Sequence, residues 1–85
     1  MDRVKAAIAA TLLDRVARGE LDPAVALREW PQSDERDALL ESAWHDLSHF
    51  ATDADVRAKD SRYAAYQISV LQKRAQQIRD QHSVS

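Results

Sequence analysis

Two histidines and an aspartate lie together near the middle of this 85-residue chain, in the sequence AWHDLSHF of residues 43–50. On a helix, side chains four residues apart lie one above the other, and zinc-binding helices use this spacing for histidine pairs. Asp46 stands where a zinc protease has its glutamate general base, but aspartate is one methylene shorter. No third ligand follows at an identifying spacing. We expect His45 and His49 to be solvent-exposed, with a metal-binding protein or metal-dependent enzyme as the alternative.

Three acids further along, Asp53, Asp55 and Asp60, raise the question of a calcium site. An EF-hand loop needs oxygen ligands at alternate positions and a central glycine. Arg57 occupies a position where a ligand is needed, and the segment contains no glycine. We therefore expect these acids to cap helices and to form surface ion pairs.

Other catalytic chemistry finds little support in the composition. The chain has one glycine and no cysteine, which excludes a glycine-rich phosphate loop, a dinucleotide fingerprint and thiol chemistry. Serines and threonines are scattered without a nucleophile motif. We expect no catalytic residue, no cofactor and no enzymatic activity.

The charge is small in total and uneven along the chain. The net charge is −2, but residues 20–55 carry ten acidic and two basic side chains, between two basic ends. The acidic middle can be neutralised when the helices pack, or it can form a docking face for a basic protein partner. On the second interpretation, the candidate partner-binding residues are Glu35, Asp37, Glu41, His45, His49, Asp53, Asp55 and Arg57.

A group of basic and aromatic residues near the end of the chain could contact nucleic acid. It consists of Arg57, Lys59, Arg62, Tyr63, Tyr66, Lys73, Arg74 and Arg79. The isoelectric point near 5.8 reflects an excess of acidic side chains, and those of the acidic middle would repel phosphates. We expect no binding to nucleic acid or membrane, and nucleic-acid binding through the last helix remains the second alternative.

The apolar periodicity predicts an all-α protein of about four helices, over residues 2–18, 22–30, 33–51 and from 56 or 61 to 80. In the first helix, Val4, Ile8, Leu12 and Val16 recur every four residues, and Gly19 follows as a C-terminal cap. Asp22 and Pro23 open the second helix and Pro31 ends it.

The third helix is expected to begin with Ser33 as its cap and to place Trp44 in the core as its largest side chain. Thr52 and Asp55 have the spacing of a capping box for the last helix, which a break near Asp60 could divide. Tyr63, Ala64, Ile68, Leu71, Ala75 and Ile78 form its apolar stripe.

Short connections favour antiparallel packing of these helices as one domain over residues 1–80, with a frayed polar tail at 81–85. The last helix would be about 30 Å long, and the other helices are not expected to cover its whole length. The sequence therefore leaves open a homo-oligomer, such as a homodimer, formed through this helix. The predicted function is a non-enzymatic protein-interaction module of adaptor, regulator or toxin-neutralising type.

The pattern of residues 19–31, GELDP followed by WP, and of residues 43–57, AWHDL, HF and DADVR, resembles small uncharacterised all-helical proteins of bacteria. The resemblance implies no activity, cofactor or catalytic residue. Arg3 and Lys5 precede the apolar stretch 6–13 as in a signal peptide, but no small-residue cleavage site follows. We therefore expect a bacterial protein in the cytoplasm.

Overall fold

The structure, a computed structural model of the chain, describes residues 3–31 and 37–82. These residues form five helices and no strand, so the protein is a small all-α bundle. The helices are α1 (Arg3–Ala17), α2 (Pro23–Glu29), α3 (Ala38–Thr52), α4 (Ala54–Lys59) and α5 (Ser61–His82). In the described part of the chain, no helix is both long enough and apolar enough to cross a lipid bilayer.

The first helix ends at Ala17, and Gly19 caps it as predicted, with a φ of 74° in the left-handed region. The Gly19 N–H donates to the carbonyl of Val16 at 3.0 Å, and the Glu20 N–H donates to that of Arg15 at 2.8 Å. These two bonds form a Schellman motif, which satisfies carbonyls that have no partner within the helix.

Replacing Gly19 with alanine should lower the free energy of unfolding by about 1 kcal/mol, because a Cβ disfavours positive φ. An added Cβ would meet no atom within 4 Å, so the cost comes from backbone strain alone. Gly19→Asn is the matched control, since asparagine tolerates this region better and should lose less. Urea unfolding of both variants checks the result, and an equal loss would contradict it.

The second helix also begins and ends at the capping and proline residues that predicted its bounds. The Asp22 carboxylate accepts a hydrogen bond from the N–H of Ala24 at 2.8 Å, and Pro23 is the first helical residue. Trp30, which precedes Pro31, has extended backbone with φ −57° and ψ 130°, and the helix ends there. A residue before proline avoids the helical region, so this boundary is set by the sequence.

The third helix begins later than the predicted residue 33. Asp37 has extended backbone, and its carboxylate accepts the N–H groups of Leu39 at 3.0 Å and Leu40 at 3.2 Å, which makes it the N-cap. An aspartate in this position satisfies amides that the helix leaves open. Ser33, the predicted cap, and Glu35 lie outside the described residues.

The predicted capping box at Thr52 is wrong. Thr52 is the last residue of α3, and its hydroxyl donates back to the carbonyls of Ser48 and His49 at 3.3 and 3.1 Å. The cap position of α4 falls to Asp53, whose side chain makes no capping bond. Because the Thr52 hydroxyl is bonded to carbonyls of α3, it does not cap α4.

The break near Asp60 is real and separates α4 from α5. Asp60 has extended backbone, and its carboxylate accepts the N–H groups of Arg62 at 3.0 Å and Tyr63 at 3.2 Å. The segment that the sequence left open is thus a helix of its own, and Asp60 caps the next helix as expected of an acid there.

The core lies where α5 packs on α1 and, less extensively, on α3, while α2 packs mainly on α3. Its largest completely buried side chains are Leu13, Leu47, Leu71 and Ile78. Two ion pairs between carboxylates and α5 flank this core, Asp14–Arg79 and Asp46–Arg74, each with an N···O distance of 2.6 Å. Helix α5 contacts α4 through the hydrogen bond between Gln67 and Arg57, and α1 through the ion pair between Arg79 and Asp14.

Three residues that were predicted to face the core, Val4, Ile8 and Trp44, are exposed. Val4 and Ile8 are 64% and 43% exposed, and Trp44 is 41% exposed, whereas Trp30 is buried. A spacing of four residues turns a helical side chain by about 40°, so the stripe from Val4 to Val16 rotates by about 120° and only its later part faces the core. Trp44 likewise lies at the edge of the buried face formed by Leu40, Ala43, Leu47 and Phe50.

Candidate interaction surfaces

An apolar face of α1 is exposed to solvent, opposite the face that packs into the core. Its central side chains are Val4, Ala7, Ile8 and Thr11, at the spacing of three and four residues that aligns side chains along a helix. With Leu12 and Arg15 they line an open depression of about 450 Å³. We call these four central residues the α1 face.

Arg15, near the C-terminal end of α1, places a positive charge beside this face. The helix contains three basic residues and one acid, Asp14, which pairs with Arg79 of α5 at 2.6 Å. Arg15 lines the depression itself. A surface in which apolar side chains adjoin cations favours contact with apolar groups that carry acids at their edge.

A second concave surface lies between α3 and α5. It is lined by Asp46, His49, Tyr63, Tyr66, Gln67 and Val70, and its volume is about 190 Å³. Small-molecule sites commonly enclose about 300–1,000 Å³, so this cleft is smaller than most such sites. The Asp46 carboxylate on its wall is engaged by the Arg74 guanidinium at 2.6 Å.

A hydrogen-bonded network of Asp53, Tyr63, Gln67 and Arg57 joins α3, α4 and α5 beside this cleft. The Tyr63 hydroxyl and the Gln67 amide donate to Asp53 Oδ2 at 2.7 and 3.0 Å, and the Gln67 amide also reaches the Tyr63 oxygen at 3.1 Å. Gln67 is buried, and its carbonyl accepts from Arg57 Nη1 at 2.9 Å. Both ends of the buried amide are satisfied, which is typical of a network that holds a fold together.

Arg57 contributes two further contacts to this junction. Its guanidinium carbon lies 3.6 Å from the centroid of the Phe50 ring, and Nη1 donates to the Phe50 carbonyl. That carbonyl belongs to the last turn of α3, where backbone acceptors lack helical partners. Arg57 therefore acts as a structural clamp on the end of α3, through a cation–π contact and hydrogen bonds.

Replacing Arg57 with leucine should lower the free energy of unfolding by about 2 kcal/mol, because Gln67 and the Phe50 carbonyl lose their donor. Lys59→Leu is the matched control on the same helix, since Lys59 is exposed and makes the same change in charge. It should change stability by no more than about 0.5 kcal/mol. Guanidinium unfolding measures both, and equal values would show that the clamp contributes nothing.

The network also predicts an abnormal titration of Tyr63. Its hydrogen bond to Asp53 raises the pKa of the phenol above the usual value. Burial and the negative charge of Asp53 raise this pKa further, whereas the positive charge of Arg57 lowers it. Because the folded pKa exceeds the unfolded one, the resulting stabilisation is present below about pH 10 and is lost as the pH rises through the folded pKa.

Absorbance titration in a Tyr66→Phe background observes this phenol alone, since the chain has two tyrosines, and it also removes the smaller contribution of Tyr66 to the raised pKa. Asp53→Asn should bring the pKa of Tyr63 back toward its ordinary value, because the charge is removed while the side-chain volume is kept. An unchanged titration in that variant would contradict the assigned cause.

The structure separates the predicted partner-binding residues into two groups. Asp37, Asp53 and Arg57 make contacts inside the fold, as the cap of α3 and as members of the network. The remaining described candidates have exposed side chains and lie on α3 and α4: Glu41, His45, His49 and Asp55. A docking role for the acidic middle stays a prediction.

The two histidines have different surroundings. His49 lines the cleft, whereas the ring of His45 packs edge-on against Trp44 with a centroid separation of 5.3 Å. Among the described residues, no group of three or more histidine, cysteine, aspartate or glutamate side chains is placed to hold a metal ion. Metal binding through this pair stays a prediction, and no contact in the structure adds to it.

Several of the basic residues suggested for nucleic-acid contact take part in internal interactions. Arg57 belongs to the network, Arg74 pairs with Asp46 and Arg79 pairs with Asp14. The two tyrosines stack on each other with ring centroids 6.3 Å apart, and Tyr66 remains 63% exposed. Part of the basic cluster is thus engaged in contacts within the fold, and the rest lies on the surface.

Comparison with known proteins provides no relative from which a role could be transferred. No protein-family model, curated protein or solved structure matches this chain. The resemblance to small bacterial helical proteins therefore stays a prediction. The residues must be interpreted from their own geometry.

Sequence reasoning missed two features that the structure reveals. The exposure of the α1 face is visible in principle, because α1 has apolar residues around more of its circumference than one buried stripe needs. Gln67 has a weaker signal: it stands four residues from both Tyr63 and Leu71, on the apolar stripe of α5. A polar residue at such a position indicates a buried partner network.

Proposed function

We propose that this protein is a non-enzymatic protein-interaction module of the bacterial cytoplasm, and that it binds its partner through the α1 face. The observation that carries the proposal is the exposure of Val4 and Ile8 on a helix whose opposite side is buried in the core. Apolar side chains aligned on an exposed helix face, next to charged residues, are typical of protein-binding surfaces. Adaptor, regulator and toxin-neutralising roles are all compatible with such a surface.

The cleft between α3 and α5 supports the non-enzymatic part of the proposal. Its volume of about 190 Å³ is small, and its acid, Asp46, is engaged by Arg74. A catalytic site usually combines a larger pocket with groups that are available to a substrate. Binding energy from an exposed helix face requires no such pocket.

Site-specific photocrosslinking in cells of the source organism tests the proposal. A benzoylphenylalanine at position 8 should form a defined adduct with another protein chain, and Val4→Ser should weaken that adduct. The same group at position 72, an exposed residue of α5, is the matched control and should form none of it. The proposal fails if position 8 gives no adduct, or the same adducts as position 72.

A further inference from the structure

The spacing of the α1 face points to a helix as its occupant. Val4, Ala7, Ile8 and Thr11 follow one another at three, one and three residues, which produces a single ridge along the helix axis. Ridges of this kind pack into the grooves of a second helix. An amphipathic partner helix would present apolar side chains at the same spacing.

The charges around the face select among such helices. Arg15 lines the depression, Lys5 lies on the same helix, and the helix's one acid is engaged by Arg79. We propose that the α1 face binds an amphipathic helix whose apolar stripe is flanked by aspartate and glutamate residues. This inference rests on the proposed function and adds the chemistry of the partner.

The same charges disfavour a second copy of this chain paired through α1. Parallel pairing of two α1 helices would place Lys5 and Arg15 each near its own equivalent, and antiparallel pairing centred on the α1 face would leave both cations opposite uncharged residues or beyond the paired segment, without an acid to meet them. Like charges brought together at an interface oppose association. An acidic helix turns the same cations into attractive contacts at the edge of the interface.

Designed peptides test this inference directly. Three labelled helical peptides of about 16 residues are compared: one with an apolar stripe and glutamate flanks, one with the same stripe and lysine flanks, and one with glutamates but a scrambled stripe. Fluorescence anisotropy gives their affinities, and amide chemical shifts of the protein locate the binding site. The glutamate-flanked peptide should bind at α1 about five-fold more tightly than the lysine-flanked one, and the difference should shrink at high salt.

Charge reversal supplies the decisive variant. In Lys5→Glu/Arg15→Glu the preference should invert toward the lysine-flanked peptide. Arg62→Glu/Lys73→Glu is the control with the same change in net charge on exposed positions of α5, and it should keep the original preference. Circular dichroism confirms that both variants are folded. Ile8→Ser should weaken both charged peptides, and the scrambled peptide should bind weakest.

The outcomes separate this inference from the proposed function. Equal binding of both flanked peptides at α1 overturns the acidic partner and leaves the interaction module standing. Chemical-shift changes confined to α3 and α5 would overturn the inference that an acidic helix binds at α1. A stable dimer of the protein that Ile8→Ser dissociates would overturn it as well. If no peptide perturbs α1 and position 8 forms no crosslink in cells, both the inference and the proposed function fail.

Discussion

Leu13→Ala should lower the free energy of unfolding by about 3 kcal/mol, whereas Ile8→Ala on the same helix should lower it by no more than about 1 kcal/mol. Leu13 is completely buried in the core, so its truncation removes apolar contacts and leaves a cavity. Ile8 is 43% exposed, and much of its side chain is already in contact with water. Chemical unfolding followed by far-ultraviolet circular dichroism measures both losses.

This comparison decides the orientation of α1. If the stripe of every fourth residue from Val4 faced the core throughout, Ile8→Ala would cost as much as Leu13→Ala. Such equality would contradict the exposed α1 face and the function proposed for it. A small domain has a free energy of unfolding of only about 5–10 kcal/mol, so the Leu13 loss should also lower the melting temperature clearly.

Trp30→Ala should be destabilising by about 3 kcal/mol or more, and Trp44→Ala by about 1 kcal/mol or less. Trp30 is 8% exposed and belongs to the core between α2 and its neighbours, while Trp44 is 41% exposed on the edge of α3. The two variants share the same chemical change, and the difference expected between them comes from the burial of the two side chains. Thermal unfolding gives the two stabilities.

Fluorescence provides an independent measurement on the same variants. The chain has two tryptophans, so each variant reports the one that remains. In the Trp44→Ala variant, the remaining Trp30 should be protected from a soluble quencher. A larger loss of stability in Trp44→Ala than in Trp30→Ala would contradict the structure. The prediction thus tests which tryptophan anchors the core.

The helix ends could be predicted from the sequence because their signals are local. Gly19 adopts the left-handed conformation that a C-terminal cap requires, Asp22 caps α2, and Trp30 leaves the helical region before Pro31. Each of these preferences acts within a few residues and needs no tertiary contact. Thr52 shows the limit, because its hydroxyl has a competing acceptor one turn earlier in α3.

The candidate surfaces could be predicted only in part. The exposure expected of His45 and His49 follows from their position opposite the apolar stripe of α3, and the structure agrees. The roles of Asp53 and Arg57 could not be predicted, because their partners lie on other helices. Gln67 is ten residues from Arg57 and fourteen from Asp53, and only the packing of α5 brings these side chains together.

By itself, the sequence determined that this chain is helical, where several of its helices begin and end, and which chemistries its composition excludes. The tertiary structure alone decided which side of α1 is buried, which tryptophan enters the core, and that Arg57 clamps the end of α3. The physical reason is that a helix with apolar residues around much of its circumference has several faces it could bury. The choice depends on the helices that pack against it, and local preferences carry no information about them.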